Sequence, residues 1–360
     1  MTPTGLVTAG VRVAVREDAE RSVRRAVESA TGERLRTLDG PPDLVLDHGD
    51  PRPSTQGLAP VTRGVWGGPD GMLLQSAGGS GYVQRWALDP LRVSSAWAPS
   101  LAEAGAAQGL RQRHRALRGQ VLLHHPVLWS SVALHGTAPL HVSVVEVLGV
   151  PVLLAGPGGV GKSSLVADAL AHGARATCDN LGVTDGRTVH GLVEPLRLPA
   201  SVGDPRSSGS RAAHGRREHA FTGRVAALTP ALVVVVRRDD HGRTRVRPLT
   251  CERAARALVA GTYAAGELQR FWPLVAHLAL AGLGPVHPPV AEAAASLTDR
   301  LPCVELTLGR PDPRRCGPGG RLATLLGPEL TGLERPPEAT GPAPGWAEHP
   351  VSAQSGEGSR

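Results

Sequence analysis

The densest chemistry in the chain lies in Gly156-Pro-Gly-Gly-Val-Gly-Lys-Ser-Ser164. The spacing G-x-x-x-x-G-K-S suits a loop that binds the phosphates of a nucleoside triphosphate such as ATP. Its glycines let backbone N–H groups point inward around the phosphates, and its lysine is a compact ammonium that reaches the β/γ oxygens. Of the 39 Lys/Arg positions, Lys162 is the one lysine and every other is arginine. A chain that favours arginine this strongly keeps a lysine where a planar guanidinium fork is too large for the nest. The candidate binding residues are therefore Gly156, Pro157, Gly158, Gly159, Val160, Gly161, Lys162, Ser163 and Ser164. The plainer reading is a glycine-rich turn between two elements, in a chain with 45 glycines. A second Gly-Pro-Gly-Gly, Gly317 to Gly320, lacks both the lysine and a preceding strand, and reads as linker.

Elements of the right kind flank the loop. Val150–Ala155 is a short apolar run and reads as a buried strand; Ser163–Ala171 reads as a helix ending near Gly173. The run from His141 to Ala155 reads as a hairpin turning at Leu148-Gly149, with His141 starting the outer strand. After the helix, a strand is expected to end in the acid Asp179. In open α/β sheets, strand ends beside such a loop gather at the site. An aspartate there can hold Mg²⁺ through water or accept a proton from an attacking hydroxyl. His141 could tune that carboxylate. The competing readings are an ordinary strand residue for His141 and a turn-former for Asp179. Ser201 to Arg224, with Asp204, Arg206, Arg211, Arg216, Arg217 and Arg224 among small residues, suits a loop near the site or a solvated insert. Arg237 and Arg238 end the apolar strand Ala231–Val236.

The whole chain of 360 residues divides into four stretches. Residues 1–130 are expected to form a small α+β domain, with a strand at Val11–Val15, a helix from Glu17 to about Arg36, and a core of Trp66, Trp86 and Trp97. A helical stretch from about Leu101 to Trp129 leads into the next unit. Residues 131–248 hold the nucleotide core, 249–310 read as a helical C-terminal segment, and 311–360 as a disordered Pro/Gly-rich tail. Within the helical segment, Phe271 to Gly284 reads as a buried helix. The four cysteines are scattered without CxxC spacing, which argues against disulfides and zinc and suits a cytoplasmic protein. No stretch is apolar enough to span a bilayer, and no signal peptide is evident. The net charge of +7 raises nucleic-acid binding, but the arginines are dispersed and aromatics are 3%. A solvated arginine-rich surface, or attraction to an acidic peptide or phosphorylated partner, fits better; neither nucleic acid nor membrane is expected as a partner.

Taken together, His141, Gly156, Gly161, Lys162, Ser163, Gly173 and Asp179 fall at spacings similar to those of the HPr kinase/phosphorylase family of bacterial protein-serine kinases. The resemblance covers about residues 135–185 and continues loosely through Leu232 to Arg238. It implies an α/β fold of the HPr kinase/PEP carboxykinase kind, a P-loop core with a mixed sheet. It also implies Lys162 on the β/γ-phosphates, Ser163 on Mg²⁺, and Asp179 as the base that deprotonates a substrate serine with His141 in support. The family's Mg²⁺-holding glutamate has Glu194 as its candidate; a surface residue before Pro195 is the alternative. The family's second aspartate is Asn180 here, its Glu after the loop serine is Ser164, and residues 1–130 do not look like its regulatory domain. The chain looks closer to divergent actinobacterial relatives that resemble kinases of lasso-peptide precursors. The implied function is a MgATP-dependent kinase acting on a serine or similar hydroxyl of a protein or peptide, in a possible homo-oligomer. A nucleotide-binding regulator without transfer, motivated by Asn180, and a small-molecule kinase stay open.

Overall fold

The chain forms a mixed α/β structure with mixed sheets in the computed structural model, which describes residues 3–16, 21–69, 71–199, 210–211, 215–285, 287–309 and 320–333. Nine strands come first: β1 (Thr4–Thr8), β2 (Val11–Val15), β3 (Arg36–Thr37), β4 (Leu44–His48), β5 (Ala59–Thr62), β6 (Val65–Gly68), β7 (Gly71–Leu74), β8 (Tyr82–Leu88) and β9 (Leu91–Trp97). They make one sheet in the order β3-β1-β2-β4-β9-β8-β7-β6-β5. Helix α1 (Arg21–Thr31) crosses between β2 and the parallel β4. The helix is shorter than the expected Glu17–Arg36, and residues 17–20 lie outside the described residues. Of the three tryptophans expected in the core, only Trp86 is buried; Trp97 is 40% exposed against Tyr82 and His114, and Trp66 is half-buried.

A long helical path follows. It runs through α2 (Leu101–Gly109), α3 (Arg111–Gly119), a π-helical turn at Gln120–His124, and α4 (His125–His135). Ser100 and Glu103 form a reciprocal capping box that fixes the start of α2. The π turn inserts one extra residue, so that His124 and His125 both fall on buried positions. Gly136, at φ +61°, ends α4 in the left-handed conformation.

The remaining strands are β10 (Ala138–Leu140), β11 (Ser143–Val147), β12 (Val150–Ala155), β13 (Ala176–Cys178), β14 (Gly182–Thr184), β15 (Val189–Gly191), β16 (Leu196–Pro199), β17 (Ser210–Arg211), β18 (Arg216–His219), β19 (Ala227–Leu228), β20 (Leu232–Arg238), β21 (Arg245–Pro248) and β22 (Cys303–Leu308). The helices are α5 (Lys162–Ala171), α6 (Cys251–Tyr263), α7 (Phe271–Leu280), α8 (Val290–Arg300) and α9 (Gly320–Leu330). The central sheet has the order β13-β11-β12-β20-β22-β21, with β12, β20 and β22 parallel. Both faces of β12 and β20 are apolar because both are covered. Val152, Leu154, Val234 and Val236 pack under α5 and α9. Leu153, Val233 and Val235 pack under α6 and α8. The hairpin β11–β12 turns at Leu148-Gly149, where both residues have positive φ (52° and 83°), as a two-residue hairpin turn requires.

Three sequence expectations are corrected. Residues 249–310 are not wholly helical: Cys303–Leu308 inserts as β22 between β20 and the edge strand β21. The tail is not wholly disordered: Gly320–Leu330 is α9, with Leu322, Leu326 and Leu330 buried at a spacing of four. Residues 310–319 and 334–360 lie outside the described residues. His141 does not start a strand; it stands in the two-residue passage between β10, which pairs with β14 in another sheet, and β11.

The first 130 residues are not packed apart from the rest. Val13, Leu46 and Trp86 share one apolar cluster with Leu181, Val183 and Leu192 and with Phe271, Leu274 and Leu278 of α7. Two hydrogen bonds staple the β1–β2 turn to the segment before Glu194: Ala9 N–H to Gly191 O (2.8 Å) and Val193 N–H to Thr8 Oγ1 (2.8 Å). Among the described residues no helix is long and apolar enough to cross a membrane.

Candidate functional site

The C-terminal ends of the parallel strands β12, β20 and β22 open onto one cavity of about 690 Å³. The glycine loop leaves β12 and forms its floor. Gly156 has φ +138°, and a Cβ there would meet Val236 O at 2.5 Å, so only glycine lets the loop pass this close to β20. Gly161, at φ +113°, starts α5. The first N–H groups of α5 have no intrahelical partners and carry the positive end of the helix dipole, a setting that favours an anion. Lys162 is buried and donates to two carbonyls of its own loop, Gly156 O (2.8 Å) and Pro157 O (3.3 Å). Burial lowers its pKa to about 8, against the raising effect of Asp179 and Glu267.

Asp179 follows β13, whose pairing with β11 brings it beside the loop. The carboxyl is buried; burial, with Glu194 nearby, pushes it up to about 6, while the Ser163 hydroxyl, Lys162 and Arg216 pull it down. Asp179 Oδ1 has no hydrogen-bond partner among the described residues. Asp179 stands in the bend that follows β13, with its carboxylate buried toward Ser163 and Lys162.

His141 is also buried at this wall. Its Nδ1 lies 3.2 Å from Gly261 O, and because a carbonyl only accepts, Nδ1 carries the proton. Burial, and then Lys162, lower the ring pKa to about 4, so the imidazole is neutral. Its backbone N–H donates to Thr262 Oγ1 (3.1 Å), so α6 fixes its position. The Asn180 side chain bonds to the same ring and also donates to Glu194 Oε2 (3.2 Å). Asn180 therefore ties His141 to Glu194.

Glu194 is not on the surface; it is buried. Burial alone would raise its pKa, but Arg197, His124, Asn180 and Arg224 outweigh burial and hold it low. Its Oε1 lies 3.1 Å from Arg197 Nη1 yet off the hydrogen-bonding line, so that contact is ionic rather than a formed hydrogen bond. Both oxygens are thus engaged. Among the described residues no group of three or more His, Cys, Asp and Glu is gathered to hold a metal ion.

Of the arginines expected near the site, Arg216 lines the cavity, whereas Arg224 is held by Glu194 O and Glu33 away from it. Asp204 and Arg206 lie outside the described residues, and Arg211 is described only in its backbone. Arg238 lines the cavity; Arg237 turns away to Glu305 (2.7 Å). Sequence reasoning missed Arg197, His124 and Glu267. Arg197 stands three residues after Glu194 on β16, a spacing that could have suggested the pair. His124 reaches 3.7 Å from Glu194 Oε1 across 70 residues of chain, with no local signal. No family model matches the chain, and no curated protein matches it.

Proposed function

We propose that this protein is an ATP-dependent phosphotransferase that carries the γ-phosphoryl group to a serine, or a similar hydroxyl, of a protein or peptide. The observation that carries this reading is the convergence of Lys162, Ser163 and Asp179 on one cavity at the start of α5. In this reading the loop is a P-loop, and the chain is a divergent relative of the HPr kinase family. Loop amides and the Lys162 ammonium hold the β/γ oxygens. The acceptor hydroxyl gives its proton to Asp179 as its oxygen bonds to γ-phosphorus and the β–γ bridging bond breaks, releasing ADP. A carboxylate with a pKa of about 6 is ionised at neutral pH and still basic enough for that step. Neutral His141 fixes Asn180, and Asn180 fixes Glu194, without adding charge beside Asp179. Arg216 faces Asp179 and is suited to the charge that spreads over the transferring group.

The Ser163 hydroxyl fits Mg²⁺, which usually takes one or two protein ligands and fills the rest with phosphate and water; the orphaned Asp179 Oδ1 would meet the ion through such a water, which leaves the carboxylate free to act as base. When bound, Mg²⁺ would neutralise phosphate charge. Glu194, engaged by Arg197 and Asn180, suits a supporting rather than a ligating role.

The test is Lys162→Ala with γ-labelled ATP, Mg²⁺ and a fractionated extract of the host. Lysine-dependent label on a polypeptide supports the reading. Label confined to small molecules makes the protein a metabolite kinase. ATP binding without transfer makes it a nucleotide-binding regulator, the reading that a single acid at 179–180 favours.

A further inference from the structure

A second cavity, of about 800 Å³, abuts the first. Arg197, Arg216, Gly266 and Glu267 line both. Its other walls come from α2, α3 and the Ser29–Ala30 turn of α1, so it belongs to the part of the chain outside the family resemblance. The volume lies in the range of ligand sites, about 300–1,000 Å³.

Positive charge predominates in its lining, five arginines against three glutamates. Glu103 accepts hydrogen bonds from Ser76 and Ser100, which leave its carboxylate charged. Glu218 is bound by Arg115 (3.2 Å). Glu267 is drawn to Lys162 and Arg197. Arg113, Arg216 and Arg270 also line the cavity, and among the described residues no carboxylate forms an ion pair with them. At its base stands His124, 2% exposed, with neither ring nitrogen hydrogen-bonded. Its Nδ1 lies 3.7 Å from Glu194 Oε1, beyond hydrogen-bonding distance, and a buried ring nitrogen left without a hydrogen bond is costly.

We propose that the second cavity is the acceptor site, and that it takes a short polypeptide segment whose hydroxyl is flanked by acidic residues. This rests on the phosphotransferase reading of the neighbouring cavity. The shared wall of Arg197, Arg216 and Glu267 is where the acceptor hydroxyl meets Asp179. Arg113 and Arg270, which line the second cavity and not the first, receive the flanking carboxylates; bidentate guanidinium–carboxylate contacts suit that role.

The experiment titrates the full chain with a dye-labelled pentapeptide, serine between two pairs of glutamates, and with its lysine counterpart, read by fluorescence anisotropy. Expected is acidic-peptide binding at least about tenfold tighter than basic, and a loss of about tenfold or more in both Arg113→Glu and Ala107→Trp. Arg113 is exposed, so its reversal leaves folding intact; Ala107, half-buried, fills the cavity. ATP affinity should be unchanged in both. Equal binding of the two peptides, or acidic binding that survives both variants, overturns the proposal. Peptide binding is read without nucleotide and ATP binding without peptide. A wild-type chain that fails to bind ATP therefore sinks the nucleotide reading while the acceptor site is still scored.

Discussion

The two cavities share a wall and differ in how much of each is local in sequence. The first is anchored on one contiguous segment, the glycine loop that turns on Gly156 and Gly161 and ends in the open N-terminus of α5, with side chains such as His141, Asp179 and Arg238 closing round it. The second is made of side chains brought from α1, α2, α3, β16, β18 and the turn before α7. In the phosphotransferase reading the first cavity takes a phosphate, the same group in every nucleotide, so a fixed array of N–H groups would serve it, and glycine spacing would write that array into local sequence. A particular partner is recognised by side chains placed by the whole fold, and no local pattern records them.

The sharpest separation of the two cavities should come from Asp179→Asn. If Asp179 is the base, as the phosphotransferase reading has it, its loss is expected to lower transfer by about 10²–10⁴-fold while acidic-peptide binding stays as in the wild type. The same substitution should stabilise the fold. Asp179 is more easily protonated folded, at about 6, than unfolded, at 3.8, so its charge costs the folded state stability as pH rises through that interval. Above pH 6 the cost is roughly 3 kcal/mol, and the neutral amide is free of it. A thermal melt at pH 7.5 checks this; a lower Tm for the variant would mean that Asp179 is a structural acid.

Gly156→Ala strikes the loop of the first cavity and leaves the lining of the second untouched. With φ at +138° and Val236 O at 2.5 Å from the new methyl, strain of about 1–3 kcal/mol should lower ATP affinity by about ten- to a hundredfold. Peptide binding should be untouched, and calorimetry with each ligand reads both. If both ligands weaken alike, the cavities are not separable.

The mildest test is pH. The rate per enzyme at low ATP should rise through about pH 6, as Asp179 ionises, and fall above about pH 8, as Lys162 loses its proton. An acid limb that persists in Asp179→Asn would move the base elsewhere.

The sequence exposed Lys162, the loop and the strand–loop–helix order because those residues are contiguous and glycine at 156 and 161 answers a backbone need. It also placed His141 and Asp179 near the loop, though not the passage between sheets that holds His141 against Gly261. It hid β22, a six-residue strand that follows directly on the helical periodicity of α8 and whose partners, β20 and β21, lie more than 50 residues away. It hid α9 for a different reason: Leu322, Leu326 and Leu330 form a helical stripe, but averaging over a Pro/Gly-rich stretch dilutes it. Arg197, His124 and Glu267 were beyond reach, since what joins them is tertiary contact.

Helix α9 has a practical side. Its leucines cover the apolar face of α5 and the sheet, and Arg321 N–H donates to Asp168 Oδ2 of α5 (2.6 Å). Composition invites an expression boundary at residue 310, where proline and glycine begin to dominate. A chain cut there would lose the lid on the helix that Lys162 begins, and would bare Leu165 and Val166 to water. Insolubility or lost nucleotide binding in such a fragment would then report a missing wall, not a faulty site.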